Sequence, residues 1–159
     1  MGVIQQTGEK KGSKRHLLVD GRGVPLSIIV TGANRHYITQ VVNVLDAMKV
    51  TRQSPPKRRN KHLCADAGYA SKDVETYLSK RGYIPHIKGR GQEAKELKKN
   101  PSIKARRWIV EVAHSWFNRF RKLLVRYEKL ERSFLALNYL AATIIVLRKI
   151  KTSVNIIYG

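Results

Sequence analysis

Acidic residues are scarce in this chain: 11 Asp plus Glu stand against 32 Lys plus Arg, a formal charge of +21 over 159 residues. A compact body so charged repels itself unless a polyanion shares the space, and nucleic acid is the first candidate. Cysteine is almost absent. Cys64 has no second thiol to pair with, so an internal disulfide is excluded, and inside an apolar run it reads as a small buried residue. No apolar run reaches the roughly 20 residues that span a bilayer. The longest, Phe134 to Leu147, contains Asn138 and reads as a buried helix. The first residues, Met1-Gly2-Val3-Ile4-Gln5-Gln6, lack the charged and apolar regions of a secretory signal. The expectation is a cytoplasmic protein without membrane association. The length suits one domain, no internal repeat is visible, and no heptad marks a seam for self-association.

What is present alternates between strand and helix signals. Gly8 to Arg15 is polar and basic, and His16-Leu17-Leu18-Val19 opens a strand pattern. Asp20-Gly21-Arg22-Gly23 supplies a turn into a second strand, Val24 to Val30, with Pro25 near its start where a missing donor is tolerated. A helix follows from Thr39 through Val41, Val42, Val44, Leu45 and Met48. Residues 51–61, which include Pro55, Pro56, Lys57, Arg58 and Arg59, hold almost no apolar side chain and form either a solvated linker or a phosphate-contacting arm. Ser71 caps a helix that Gly82 ends, and Tyr83 to Ile87 reads as an edge strand because of Pro85. Beyond the polar residues 89–104, Ile109, Val112, Ala113, Trp116, Phe117, Phe120 and Leu123 recur at helical spacing and define a buried face. A second helix, from Ser133 to about Lys149, closes the core. The sum is a mixed α/β domain with an antiparallel opening hairpin and later strands joined through helices.

Two of the few acids fall at structured places. Leu63-Cys64-Ala65 reads as a strand, and Asp66 followed by Gly68 marks its end, the position in open α/β sheets where ligands gather. The same aspartate also suits a plain turn or helix cap. Glu111 lies on the flank of the Trp116 helix together with Arg107, His114, Ser115 and Asn118, spaced by three or four residues. Magnesium favours carboxylate oxygens, and phosphoryl-transfer sites often hold two such ions about 3.5–4 Å apart. Bases would bring in a phosphodiester and the acids would carry the metal.

Several runs in order resemble a known family. Gly12 to Leu26, Ala33-Asn34-Arg35-His36, Ala65-Asp66-Ala67-Gly68-Tyr69, Arg106 to Glu111 and His114 to Leu123 look like the bacterial insertion-sequence transposases of the IS5 group, and the likeness runs on through Arg126-Tyr127-Glu128 to about Leu147. The resemblance implies a ribonuclease-H-like mixed sheet flanked by helices and an Asp, Asp, Glu triad binding two Mg2+ ions, with Mn2+ as a substitute. By resemblance Asp66 is the second acid and Glu111 the third, both as metal ligands. The first acid of the family ends a strand upstream of the hairpin, and nothing before Gly12 reads as that strand. Asp20, in the hairpin turn, is no substitute. Tyr37 stands where the family usually has Asp, Ala70 where an acid or amide is usual, and Val112 where Arg is common.

The expectation is therefore a partial transposase catalytic domain over residues 12–150 that lacks the family's first strand. Residues 1–11 read as a disordered extension and 151–159 as an unassigned tail. The resemblance implies cleavage and strand transfer at insertion-sequence ends in double-stranded DNA, in the nucleoid of a bacterial cytoplasm. The chain reads as a split or decaying copy that either works with an upstream transposase fragment or remains as an inactive DNA-binding remnant; self-association into a homo-oligomer is open. Lys57, Arg58, Arg59, Lys104, Arg106, Arg107, Arg119, Arg121 and Lys122 are candidate phosphate contacts. His114 and Asn118 either orient the DNA strand or form a solvated flank.

Overall fold

A computed structural model describes residues 2–7, 12–32, 37–48, 61–65, 67–87 and 108–157. Five strands form one sheet: β1 (Gly2–Thr7), β2 (Ser13–Val19), β3 (Pro25–Gly32), β4 (Lys61–Ala65) and β5 (Tyr83–Ile87), in the order β3-β2-β1-β4-β5. The pairs β1–β2 and β2–β3 are antiparallel, whereas β1–β4 and β4–β5 are parallel. The helices are α1 (Tyr37–Asp46), α2 (Lys72–Lys80), α3 (Trp108–Asn118), the single turn α4 (Arg121–Leu124) and the long α5 (Glu131–Ile157). A 3-10 turn, Ala67–Tyr69, follows β4.

Local chemistry explains the punctuation. Asp20 Oδ1 accepts from the backbone N–H groups of Arg22 (2.8 Å) and Val24 (2.9 Å), which folds the chain back between β2 and β3. Asp20 is thus a turn residue, as the sequence indicated. Gly23 has φ +80°, and a Cβ there would meet Trp116 Cη2 at 3.3 Å and Ile109 Cγ2 at 3.4 Å, so the hairpin turn both needs the left-handed region and lies against α3. Ser71 caps α2 by accepting from Asp73 N–H, and Gly82, at φ +73°, ends it. Pro85 sits in β5, the edge strand, where a missing donor interrupts no ladder.

Strand alternation sends side chains to two cores. Leu17, Val19, Ile28, Val30 and Cys64 pack beneath α3 and α5 against Val110, Ala113, Phe117, Phe134 and Ile145. On the other face, Leu18, Leu63 and Ala65 meet Val41, Val44 and Leu45 of α1 and Val74 and Leu78 of α2. The sheet is a middle layer with helices on both sides.

The structure corrects several expectations. A strand does precede the hairpin: β1 holds the centre of the sheet, so residues 2–7 are not a disordered extension. Val3 and Ile4 are its only strongly apolar residues and Gln5-Gln6-Thr7 breaks any alternation, so its backbone pairing on both sides, not its pattern, makes it a strand. The tail is not separate either, because α5 runs through Ile157. The buried face of α3 is turned toward Val110 and His114, leaving Val112, Trp116 and Phe120 half-buried. Finally, the first 20 residues of α5, Glu131–Ile150, are long and apolar enough by length and composition to cross a membrane, and 22% of the most apolar 18-residue stretch is buried.

His16 yields a prediction about acid stability. It is fully buried, with Nδ1 3.1 Å from Tyr69 Oη and Nε2 3.0 Å from Thr31 Oγ1. Burial lowers its pKa from 6.5 to about 4, and the charge of Lys14 adds to that. On acidification the unfolded chain takes this proton first, so stability is whole above pH 6.5 and falls as pH drops toward 4, by up to ~3 kcal/mol at 1.36 kcal/mol per pH unit. Urea midpoints measured across that window should fall steeply. With His16→Gln, whose amide can still bond both hydroxyls but does not titrate, the His16 part of the fall should vanish.

Candidate functional site

β4 ends at Ala65 and the 3-10 turn begins at Ala67, so the elements on either side of Asp66 are placed, while Asp66 itself lies outside the described residues. So do Lys57, Arg58, Arg59, Lys104, Arg106 and Arg107. Glu111 is exposed on the first turn of α3, where a carboxylate is favoured by the helix dipole. It makes no hydrogen bond or ion pair among the described residues, in a chain where cations outnumber acids almost threefold. The sheet register sets β1 beside this region. Ile4 pairs with Ala65 in the parallel β1–β4 ladder, and in the sequence Gln5 follows Ile4 and Asp66 follows Ala65.

Two neighbouring residues of β2 hold the elements that carry the acids. His16 reaches one face, where its bond to Tyr69 ties down the turn that follows position 66. Arg15 reaches the other. Its Nη2 donates to Asn118 Oδ1 at the end of α3 (2.9 Å), its Nη1 donates to Asn138 Oδ1 of α5 (3.2 Å), and its guanidinium lies 4.8 Å from the centre of the Phe117 ring. Asn138 is oriented in turn by donating to Phe134 O at 2.8 Å. No carboxylate among the described residues pairs with Arg15, its Nε is buried without a hydrogen bond, and burial lowers its pKa from 12.5 to about 10, so it remains a cation at neutral pH. Reading the residues for chemistry passed over this clasp of Arg15, His16, Tyr69 and Asn138. The one sequence signal for it was a charged and a titratable residue leading directly into Leu17-Leu18-Val19.

The other candidates divide. His114 is buried, at 3% exposure, on the core-facing side of α3, which corrects its assignment as a DNA contact: the apolar face of the helix is wide enough to include it. Asn118 is exposed but already accepts from Arg15. Arg119, Arg121 and Lys122 are all exposed just beyond the end of α3, on the same stretch of chain as Glu111 but past its helix. Among the described residues no three His, Cys, Asp or Glu side chains come together as a metal site.

Against this geometry the comparisons with known proteins can be placed. The family described as "Transposase DDE domain" matches residues 63–148, more than half of the chain. The chain belongs to the DDE transposases. The putative transposase for insertion sequence element IS402 of Burkholderia cepacia is 35% identical over 122 residues, which are 76% of this chain and 56% of that protein. The chain thus spans little more than half the length of the curated relative. Among solved structures, the simian T-cell lymphotropic virus intasome in complex with PP2A regulatory subunit B56 gamma is matched at 15% identity and TM-score 0.39, over 84% of this chain and 52% of that one. The HTLV-2 integrase catalytic core domain in complex with magnesium is matched at 14% identity and TM-score 0.39, over 84% of this chain and 90% of that one.

The Arg15 clasp is testable in this DDE domain by stability alone. Asn138→Leu leaves a buried guanidinium short of an acceptor and should destabilise the fold by about 1.5–3 kcal/mol, the range for hydrogen bonds to charged groups. Asn118→Asp puts a carboxylate at the 2.9 Å contact and should stabilise by about 1 kcal/mol. Urea denaturation of the two variants at neutral pH reads both signs.

Proposed function

We propose that this DDE domain binds the ends of an insertion sequence in double-stranded DNA and carries two of the three acids needed to cut them, Asp66 and Glu111. The supporting observation is the carboxylate of Glu111, unpaired among the described residues, on α3, which packs over β1 and β2 on the sheet face to which Cys64 also points. The strand order, with an antiparallel hairpin followed by parallel strands, agrees with a ribonuclease-H-like arrangement. Asp66 and Glu111 offer hard oxygen donors that suit Mg2+ or Mn2+. When bound, such ions activate an attacking oxygen and stabilise the leaving one. The chain's own residues hold the phosphodiester and the acids in place: Arg119, Arg121 and Lys122 contact backbone phosphates, and Arg15 and His16 act as positioning residues.

The first acid is the missing part. In β1 the residue after Ile4, the partner of Ala65, is Gln5, an amide that brings no negative charge to a divalent site. The chain alone therefore binds DNA and cuts it poorly; strand transfer requires a further carboxylate, supplied by another transposase segment. The inactive remnant is the same body without that supplement. A bacterial cytoplasmic setting follows from this reading.

Purified chain with Mg2+ or Mn2+ and DNA carrying the element's ends should show little cleavage. Gln5→Asp should raise cleavage, and adding Asp66→Asn or Glu111→Gln should abolish the gain while leaving binding intact. Strong cleavage by the unmodified chain that survives Glu111→Gln would overturn the assignment. Binding itself should weaken steeply between about 50 and 200 mM salt through counterion release. Replacing Arg119, Arg121 and Lys122 with Ala should reduce the salt slope by roughly one for each phosphate no longer neutralised. A flat salt dependence rules out the basic surface as the DNA site.

A further inference from the structure

Two histidines meet where the catalytic reading makes no use of them. β4 and β5 are parallel neighbours in which His62 pairs with Ile84 and Cys64 with His86. Alternation therefore sends His62, Cys64, Ile84 and His86 to one face of the sheet, and the two imidazoles are diagonal neighbours within each other's reach. His62 Nδ1 lies 2.8 Å from His86 Nε2, the ring centroids are 5.1 Å apart, and the ring planes differ by 22°. The short contact between nitrogens spans more than half of the centroid separation, so the rings meet edge to edge and nearly coplanar rather than face to face. In that arrangement each nitrogen aims its in-plane bonding direction at the other. One of them carries a proton and the other accepts it, so a single proton holds the pair together. Both histidines are half-buried and keep some contact with solvent.

We propose that His62 and His86 form a two-imidazole site for a divalent transition metal, Zn2+ foremost, with the ion taking the place of the shared proton. That proton moves to the far nitrogen of its own ring, so both imidazoles stay neutral and both facing nitrogens offer a lone pair. A tetrahedral Zn2+ with bonds of about 2.0–2.1 Å sets two ligand nitrogens about 3.3 Å apart, so the 2.8 Å pair has to open by roughly half an ångström. Imidazole selects Zn2+, Cu2+ or Ni2+, whereas Mg2+ prefers oxygen, so the site differs in kind from one built on Asp66 and Glu111. It stands apart in the chain as well, since His62 is four residues before Asp66. The proposal is independent of the catalytic reading. Local charge permits it despite the +21 of the whole chain: Lys61 turns to the opposite face, with Nζ 5.7 Å from the centre of the Tyr83 ring, and the described side chains that share the face of the pair on β4 and β5 are Cys64 and Ile84. Among the described residues no third His, Cys, Asp or Glu converges with the two histidines, so water completes the coordination. β5 is the edge strand, with β4 as its one neighbour in the sheet. An ion bound to one histidine from each strand would clip that edge in place.

Calorimetry on the full chain, stripped of metal by a chelator and freed of nucleic acid in high salt, should show one Zn2+ bound per chain. The urea midpoint should rise with Zn2+ concentration, because the site exists only in the folded chain. His62→Gln and His86→Gln should each abolish both effects, while Asp66→Asn with Glu111→Gln should keep both. The rise is read within each variant, so a change in starting stability from the lost hydrogen bond does not enter. With Cu2+ in place of Zn2+, electron paramagnetic resonance should show coupling to two imidazole nitrogens, and to fewer in either histidine variant. No Zn2+ binding by the unmodified chain, or binding that survives both histidine substitutions, overturns the proposal. So does binding lost on replacing Asp66 and Glu111, which would assign the ion to the carboxylates instead.

Discussion

A buried cation without a carboxylate partner among the described residues sets the relation between the sheet and its helices. Arg15 enters the core from β2 and is met by two asparagine oxygens and the face of Phe117, contributed by α3 and α5. His16, the next residue, turns to the opposite face and meets Tyr69 and Thr31. Apolar packing is non-directional, so the two cores alone would allow α3 to slide along the sheet. Hydrogen bonds of about 3 Å admit one arrangement. Position along α3 fixes where Glu111 stands, and the anchored turn at Tyr69 fixes the chain just beyond Asp66. One dipeptide thereby ties down the surroundings of two acids that are 45 residues apart in the sequence.

The shortage of acids shapes how the remaining cations are held. Among the described residues the one ion pair joins Arg81 to Asp46, at the ends of α2 and α1. Elsewhere bases settle on rings and carbonyls: Arg126 over Phe134, and Lys149 over Trp116 and against Arg22 O. Such contacts neutralise no charge, so the surface field survives folding. They also leave Glu111 unclaimed among the described residues.

Much of the architecture was legible because it follows from local rules. The hairpin around Asp20, the Ser71 cap, the stop at Gly82 and the edge position of Pro85 each have a short-range cause. β1 was not legible, since Gly2–Thr7 is a strand only through partners elsewhere in the chain. The face of α3 was placed too far toward Val112 because tryptophan and phenylalanine dominate any apolar count, while the buried His114 counts as polar. Of the site, the family likeness singled out Glu111 and Asp66, and composition pointed to the exposed bases. The clasp that supports them was missed because buried polar groups are recognised by their partners, and the partners of Arg15 lie 103 and 123 residues away.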